Sequence, residues 1–253
     1  MNTSDQLFDV SGKVVCVTGA SSGICRHTAT MLANRGAKVV GVARRADQLE
    51  AWENETDGQT ASLAFDLSDK CRMGELAQLV SKPFGAPDIL INGAGINTRT
   101  SADEVTEEIW DLTQSVNLAA PFFLSQKLVP AMKAKGWGRI INFASLQSFR
   151  AFPNGISYGS AKGAVAQMTR AMSEAWSKDG INTNAIGPGF FKTELTAKVF
   201  DDPERANRNA EQTCIGRNGE MADLDGPVLF LSSDASAYIT GQILMVDGGF
   251  TAK

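Results

Sequence analysis

An apolar run, a turn of small residues and the start of a helical pattern follow one another in Val14-Val15-Cys16-Val17-Thr18-Gly19-Ala20-Ser21-Ser22-Gly23-Ile24-Cys25-Arg26. A strand that passes through a small-residue turn into a helix aims backbone N–H groups at a pyrophosphate. Taken alone, such a loop is explained about as often by a plain turn. Its place after the first strand of a βαβ unit favours a nucleotide site. The predicted contacts are Gly19, Ser21, Ser22, Gly23 and Ile24.

Short β-branched runs alternate with longer helical patterns along the rest of the chain. Strands are predicted at residues 13–18, 38–42, 62–65, 89–92, 139–144, 182–186 and 243–246. Helices are predicted at residues 24–34, 71–80, 106–135, 157–178 and 223–231. Strands that are apolar throughout are covered on both faces, and strand–helix alternation implies right-handed crossovers. The fold class is therefore α/β: a single Rossmann-type, doubly wound parallel sheet of about seven strands with helices on both faces. We expect one dinucleotide-binding catalytic domain over residues 1–253.

Cys25 stands where a third glycine of the loop is expected. That glycine is small because the helix packs closely on the strand there. The cysteine is interpreted as a tolerated packing variant, although a thiol near a helix N-terminus can also be reactive. A weakened cofactor site is the third alternative.

The second strand ends at Ala43, followed by Arg44 and Arg45. A carboxylate at this point would pair with the ribose 2′-hydroxyl and select NAD. Its absence, with guanidinium groups that suit a 2′-phosphate, predicts NADP(H) as the cofactor. Arg44 is the first candidate for the phosphate contact and Arg45 the second.

Ser145, Tyr158 and Lys162 form the sharpest pattern in the chain. Tyr158 and Lys162 are four residues apart in a helical stretch and so share one face. Ser145 follows a predicted strand at its carboxyl end. Free tyrosine has a pKa near 10 and is a poor base, but a nearby ammonium favours the phenolate. The hypothesis is that Tyr158 is the acid/base, Ser145 binds the substrate oxygen, and Lys162 supports both tyrosine and a cofactor ribose.

Together with the loop, these residues resemble the short-chain dehydrogenase/reductase family over nearly the whole chain, and especially its gluconate 5-dehydrogenase-like and 3-oxoacyl-(acyl carrier protein) reductase-like members. The resemblance implies further site residues. Asp66 and Leu67 would contact adenine, Asn117 would hold a water in a proton relay through Lys162, and Pro188, Gly189 and Thr193 would hold the carboxamide. Asn92-Gly93-Ala94-Gly95 resembles the family's NNAG motif, with Gly93 in place of its second asparagine and with Asn92, Ala94 and Gly95 as cofactor contacts.

The expected function is NADP(H)-dependent interconversion of a secondary alcohol and a ketone by hydride transfer. A sugar acid, a polyol or another small ketone is the expected substrate; Arg99, Arg150 or Lys192 could meet a carboxylate, although each fits a surface charge better. The alternatives are a 3-oxoacyl-(acyl carrier protein) reductase, a catalytically silent NADP-binding regulator, and a scaffold or RNA-binding use of the fold. The irregular segment 190–218 follows a strand end and is a candidate lid over the substrate, or else an ordinary surface helix pair.

The composition narrows the remaining possibilities. The chain has 24 Lys and Arg against 28 Asp and Glu, a net charge of -4, which disfavours nucleic acid as a partner. One histidine and four cysteines without metal-ligand spacing predict no metal site. The first residues, Met1 to Gln6, lack the pattern of a secretory signal, and no apolar run is long enough to span a membrane. We therefore expect a cytoplasmic protein, and the family resemblance implies a homotetramer or homodimer.

Overall fold

The computed structural model describes residues 6–253; the start of the chain from Met1 to Asp5, on which the signal-sequence expectation largely rests, lies outside the described residues. Its strands all run parallel in one sheet of order β3-β2-β1-β4-β5-β6-β7. They are β1 (Val14–Thr18), β2 (Lys38–Ala43), β3 (Gln59–Ala64), β4 (Ile89–Asn92), β5 (Gly138–Phe143), β6 (Ile181–Pro188) and β7 (Ile243–Val246). The strand order reverses between β1 and β4, so a crevice opens there beyond the carboxyl ends of the strands.

The helices connect these strands and cover the sheet. They are α1 (Gly23–Asn34), α2 (Ala46–Glu55), α3 (Met73–Val80), α4 (Glu107–Gln114), α5 (Ala120–Lys135), α6 (Ile156–Trp176), α7 (Ala197–Phe200), α8 (Pro203–Glu211) and α9 (Asp225–Ser232). No helix among residues 6–253 combines the length and apolar character needed to cross a membrane.

Two hydrophobic cores lie on the two faces of the sheet, and neighbouring strand residues alternate between them. In β1, Val15 and Val17 belong to one core, with α1, α2 and α9, while Cys16 belongs to the other, with α3, α5 and α6. In β4, Leu90 lies on the face opposite to its two isoleucine neighbours. Successive side chains of a strand point to opposite faces, so a strand that is apolar throughout requires cover on both.

The predicted fold class is confirmed, and the differences from the expected elements are local. Strand β3 begins at Gln59, earlier than predicted, because Gln59 and Thr60 pair with Lys38 and Val39 of β2. Helix α2 was not predicted, because it is short and buries only Leu49 and Trp52.

The long helix predicted over residues 106–135 is divided by a π turn at Ser115–Ala119, where the N–H of Ala120 bonds to the carbonyl of Ser115. Pro121 follows this turn and has no N–H. In an α-helix that N–H would donate to the carbonyl four residues earlier, which is the carbonyl of Asn117. The main-chain carbonyl of Asn117 therefore lacks its usual helical partner.

Candidate active site

One cavity of about 790 Å³ lies at the reversal of strand order. Its walls come from the segments that follow β1, β2, β3, β4, β5 and β6 and from the start of α6. The predicted residues that line it are Gly19, Ser21, Ser22, Gly23, Ile24, Arg44, Arg45, Asp66, Leu67, Ala94, Gly95, Ser145, Tyr158, Lys162, Pro188, Gly189 and Thr193. Asn92 and Asn117 do not line it.

The loop after β1 takes the conformation that its glycines allow. Gly19 and Gly23 have φ angles of +83° and +57°, in the left-handed region where glycine carries no steric cost. A Cβ at Gly19 would lie 3.0 Å from the backbone of Ala94, so the loop and the end of β4 are in close contact. Helix α1 begins at Gly23, and no side chain caps it. Its first N–H groups are thus left for a ligand or solvent at the cavity wall.

Cys25 and Gly93, the two departures from the family pattern, occupy the same space. The Cys25 side chain is buried, and a Cβ at position 93 would overlap its Sγ. The cysteine thus fills the room that a side chain at position 93 would need. Burial raises the pKa of the Cys25 thiol to about 12. This protonated, enclosed thiol agrees with a packing variant and disfavours a reactive one.

The two arginines after β2 differ in their surroundings. Arg45 donates from Nη2 to Ser21 Oγ at 3.0 Å and to Ser22 Oγ at 2.8 Å, and from Nη1 to Glu194 Oε2 at 2.8 Å. Arg45, the second candidate from the sequence, is thus the arginine held against the phosphate loop.

Arg44 is exposed at the cavity edge, close to Asp66. The pKa of Asp66 is lowered mainly by the Ser68 backbone N–H, with a further contribution from the charge of Arg44. Leu67 beside it is buried against the cavity wall.

Asn92 is buried and its side chain points away from the cavity. It donates to Asn142 Oδ1 at 2.9 Å and to Ser125 Oγ at 3.2 Å, which ties β4 to β5 and to α5. Asn92, which the resemblance places among the cofactor contacts, therefore joins elements of the fold and does not face the cavity. Thr18, which the sequence analysis did not single out, accepts the N–H groups of Gly93 and Ala94 at its Oγ1 and fixes the end of β4.

Ser145, Tyr158 and Lys162 meet in the cavity although they come from different elements. Ser145 follows β5, and Tyr158 and Lys162 lie on the first turns of α6. Ser148 joins these elements: its Oγ accepts the N–H of Ser145 at 3.2 Å and donates to the carbonyl of Lys162 at 2.6 Å. This positioning serine was missed in the sequence, because nothing local distinguishes it from other loop serines.

The electrostatics of this trio differ from the expectation in one respect. Burial raises the pKa of Tyr158, while the Ser145 hydroxyl and the positive charge of Arg99 act to lower it. Lys162 is buried, donates to the carbonyl of Phe143 at 2.6 Å, and has its pKa lowered by burial to about 8. Its Nζ is 5.6 Å from the centre of the Tyr158 ring. The positive charge that favours the phenolate in this structure is thus that of Arg99, whereas the sequence led us to expect Lys162 in this role.

Asn117 lies in the π turn, and its side chain bonds to the main chain of Ile96. Its Oδ1 accepts the N–H of Ile96 and its Nδ2 donates to the carbonyl of Ile96, both at 2.8 Å. A Cβ at Gly95 would be 3.1 Å from Asn117 Oδ1 and 4.0 Å from Lys162 Nζ, so the three residues are in close proximity. The side-chain oxygen of Asn117 is thus engaged within the protein.

After β6, the chain runs back to the loop that follows β1. Gly189 packs tightly, since a Cβ there would lie 2.8 Å from Cα of Asp247. Thr193 caps the short turn that follows, with its Oγ1 3.0 Å from that of Thr196. The side chain of Thr193 also comes within 3.2 Å of a Cβ built at Gly23. The segment after β6 therefore rests directly on the loop after β1.

Comparison with known proteins agrees with this site. Residues 19–251 match the family model described as enoyl-(acyl carrier protein) reductase. The chain is 39% identical over 250 residues to gluconate 5-dehydrogenase of Gluconobacter oxydans (strain 621H), covering 98% of each chain. It is 32% identical to 3-oxoacyl-[acyl-carrier-protein] reductase FabG of Thermotoga maritima, covering 95% of this chain and 98% of that protein.

Among solved structures, the chain is similar to a gluconate 5-dehydrogenase from Burkholderia cenocepacia J2315 in complex with NADP and tartrate. The identity is 33% and the TM-score 0.92, with 98% of each chain covered. The family match over most of the chain, the strand order and the cavity at its reversal all lead to one conclusion: this chain belongs to the short-chain dehydrogenase/reductase family.

Proposed function

We propose that this protein is an NADP(H)-dependent oxidoreductase that interconverts a secondary alcohol and a ketone, with Tyr158 as its acid/base. One observation carries the proposal: Ser145, Tyr158 and Lys162 line the same cavity as the loop after β1. A nucleotide held on that loop and a substrate held at Tyr158 would share one enclosed space, as hydride transfer requires.

The residues present fit a dinucleotide. The positive φ of Gly19 and Gly23 and the uncapped start of α1 provide a cradle for a diphosphate. A buried alanine, Ala43, ends β2 in place of the NAD-selecting carboxylate, and Arg45 lies beside the loop hydroxyls. Thr193 and the backbone at Pro188 and Gly189 would hold the carboxamide end.

The bound nicotinamide would supply or accept the hydride, which is chemistry of the cofactor. Burial keeps Tyr158 a neutral phenol in the cofactor-free protein, so in the reduction direction its O–H donates to the oxygen of the developing alkoxide. The Ser145 hydroxyl holds that oxygen, and its own Oγ is fixed by the N–H of Gln147 at 3.1 Å. The charge of Arg99 stabilises the phenolate left behind.

The proton lost by Tyr158 must be replaced from solvent. Lys162 is suited to pass it on, because a pKa of about 8 lets its ammonium release and regain a proton near neutral pH. The main-chain carbonyl of Asn117, to which Pro121 cannot donate, is the acceptor we propose for a water on this route. In this proposal Asn117 acts through its backbone, while its side chain fixes Ile96.

We propose a small sugar acid as the substrate, with Arg99 as the partner of its carboxylate. Arg99 lines the cavity and acts electrostatically on Tyr158, so it is close to the reacting centre. It adopts a left-handed φ of +53°, unusual for a residue other than glycine, and its Nη2 donates to the carbonyl of Leu195 at 3.0 Å. The similarity to gluconate 5-dehydrogenases supports this substrate class.

A 3-oxoacyl-(acyl carrier protein) reductase is the second candidate, and the aromatic side of the cavity favours it. Phe152 and Phe190 line the cavity and pack with Phe250, with ring centres about 6 Å apart. Such an apolar wall suits an acyl chain. The intact catalytic trio counts against a silent NADP-binding regulator.

Two comparisons of rate test the proposal. NADPH oxidation is measured with 5-keto-D-gluconate and with an acetoacetyl thioester. Faster turnover of the keto acid supports the sugar-acid class. Faster turnover of the thioester makes the 3-oxoacyl-(acyl carrier protein) reductase the first candidate. Arg99→Gln should raise KM for the keto acid roughly 10- to 100-fold, with a smaller effect on a neutral ketose of similar size. An increase in KM by the same factor for the keto acid and for the neutral ketose would contradict the contact between Arg99 and the carboxylate.

We propose that the whole chain forms one catalytic domain in which segment 190–218 covers the substrate. Residues 190, 191 and 193–196 of the segment line the cavity, and Phe191 is buried under a bridge to Gly219. Helix α8 lies farther out and does not line it. Leu195→Ala, at an exposed residue of the segment that lines the cavity, should raise KM for the substrate more than Kd for NADPH; equal changes would refute a lid.

A homotetramer or homodimer in the cytoplasm completes the proposal. Several large apolar side chains are exposed in the single chain, among them Trp110 of α4 and Leu244 of the edge strand β7. Exposed apolar surface at an open sheet edge is typical of a subunit contact. Light scattering on the purified protein would give the assembly, and a monomer would refute this part.

A further inference from the structure

The ion pair between Arg45 and Glu194 joins two residues 149 positions apart across the mouth of the cavity. We infer that Glu194 is a specificity-determining residue that reduces the preference of this enzyme for NADP(H) over NAD(H). The inference rests on the proposed NADP(H)-dependent function, and it takes Arg45, the arginine bonded to the hydroxyls of the loop after β1, as the group that meets the 2′-phosphate. It concerns how strongly the two cofactors are distinguished, and not whether either binds.

Arg45 has the surroundings of an anion-binding group. Its guanidinium is partly buried and directed at the loop after β1, where the hydroxyls of Ser21 and Ser22 accept from one of its nitrogens. Its other terminal nitrogen is bonded to the Glu194 carboxylate at 2.8 Å. The guanidinium fork suits carboxylates and phosphates alike. Glu194 therefore takes a position on Arg45 that a phosphate of the cofactor could otherwise use.

Glu194 is held at this place by its neighbours. Thr193 packs against Gly23, and the cap between Thr193 and Thr196 fixes the turn that contains Glu194. No carboxylate is present at Ala43, where β2 ends. The segment after β6 instead places the carboxylate of Glu194 beside Arg45.

The effect of this charge on the two cofactors has a definite sign. A 2′-phosphate beside Arg45 would meet a carboxylate of like charge and an arginine that is already partly neutralised, which weakens its binding. NAD(H) has a hydroxyl at that position and is nearly insensitive to the pair. Any contribution of Glu194 to closing the cavity is common to both cofactors and cancels in the ratio of their affinities.

The test compares adenosine 2′,5′-bisphosphate with AMP by calorimetry, and NADPH with NADH by nicotinamide fluorescence. Glu194→Gln should increase the ratio of Kd values in favour of the phosphorylated ligand by roughly three- to tenfold at low salt. The increase should shrink as salt rises, since the groups are partly exposed. The matched control is Glu55→Gln, which removes a similar exposed carboxylate from the 2.6 Å pair with Arg26; it should leave the ratio unchanged.

Arg45→Gln alone and with Glu194→Gln completes the cycle. In the Arg45→Gln background, Glu194→Gln should lose most of its effect. The inference is overturned if Glu194→Gln alone leaves the ratio of Kd values unchanged or lowers it. It is also overturned if Glu194→Gln has its full effect on that ratio in the Arg45→Gln background. A wild-type protein that binds neither NADPH nor NADH would instead reject the proposed function, so the two failures are distinguishable.

Discussion

Exchange of side-chain volume between positions 25 and 93 gives the most direct test of the packing at the phosphate loop. In Gly93→Ala the new Cβ would overlap Cys25 Sγ and would also lie 3.1 Å from Phe143 Cδ2 and 3.3 Å from the carbonyl of Thr18. These neighbours belong to the sheet and to the buried start of α1, so they have little room to move. Overpacking of this kind costs about 1–3 kcal/mol of unfolding free energy. In a chain of this size, that corresponds to a fall of roughly 2–12 °C in Tm.

Cys25→Gly removes the thiol and should itself cost about 1–2 kcal/mol, through a small void and the lower helix propensity of glycine. In the double variant the Cβ added at position 93 occupies the space that the sulfur has left. We therefore expect the double variant to be more stable than the sum of the single effects by about 1–3 kcal/mol. Urea unfolding of the reduced protein gives all four free energies. Gly74→Ala in α3 is the control, because a Cβ there would meet only Lys127 Cε at 4.0 Å. Additive losses, or a harmless Gly93→Ala, would refute the shared-space interpretation.

Further predictions concern the reacting groups. Tyr158→Phe should lower kcat by at least 100-fold while NADPH still binds within a few-fold of wild type, since the hydroxyl is needed for proton transfer and not for the nucleotide; substantial turnover in stopped-flow assays would remove Tyr158 from its role. Pro121→Ala restores an N–H that can bond to the carbonyl of Asn117, so kcat should fall, by roughly tenfold, with stability unchanged or higher; an unaltered kcat and pH profile would mean that this carbonyl is not used. Burial lowers the pKa of Lys162 from 10.5 to about 8, so between these pH values the unfolded chain binds more protons and stability rises with pH. Lys162→Met should thus be more stable than wild type at pH 7, by about 1–3 kcal/mol, and the gain should close towards pH 10.5; urea titrations that show a constant difference would contradict the buried ammonium.

The sequence was sufficient for the fold because its signals are local. Each strand is a short apolar or β-branched run, and the glycine loop follows the first of them. Tyr158 and Lys162 were predictable as a pair because they are four residues apart in one helix. The π turn carried a weaker local signal, since Pro121 cannot donate to Asn117.

What could not be predicted depends on residues that are distant in the chain. Cys25 fills the space that a side chain at Gly93 would need, although the two residues are 68 positions apart. Neither departure from the family pattern can be interpreted without the other. Whether Arg44 or Arg45 meets the phosphate cannot be decided from their order along the chain, because the direction of a long side chain depends on tertiary partners such as Glu194. Asn92 shows the converse: its motif suggested a cofactor contact, while its amide is used between strands.

Because the strand order reverses between β1 and β4, the cavity lies between strands that are close in sequence and a strand that pairs with them only after a long intervening segment. Strands β1, β2 and β3 come from residues 14–64, whereas β4 is paired to β1 only after about 70 intervening residues have been arranged. Such non-local pairing forms slowly, because the entropy of closing a long loop precedes the gain from the contacts. A dinucleotide bound across the crevice would bridge the early and late halves of the chain. At a concentration 100 times its Kd, it would stabilise their union by about 2.7 kcal/mol. The supply of cofactor would thus act on the yield of folded protein as well as on the rate of its reaction.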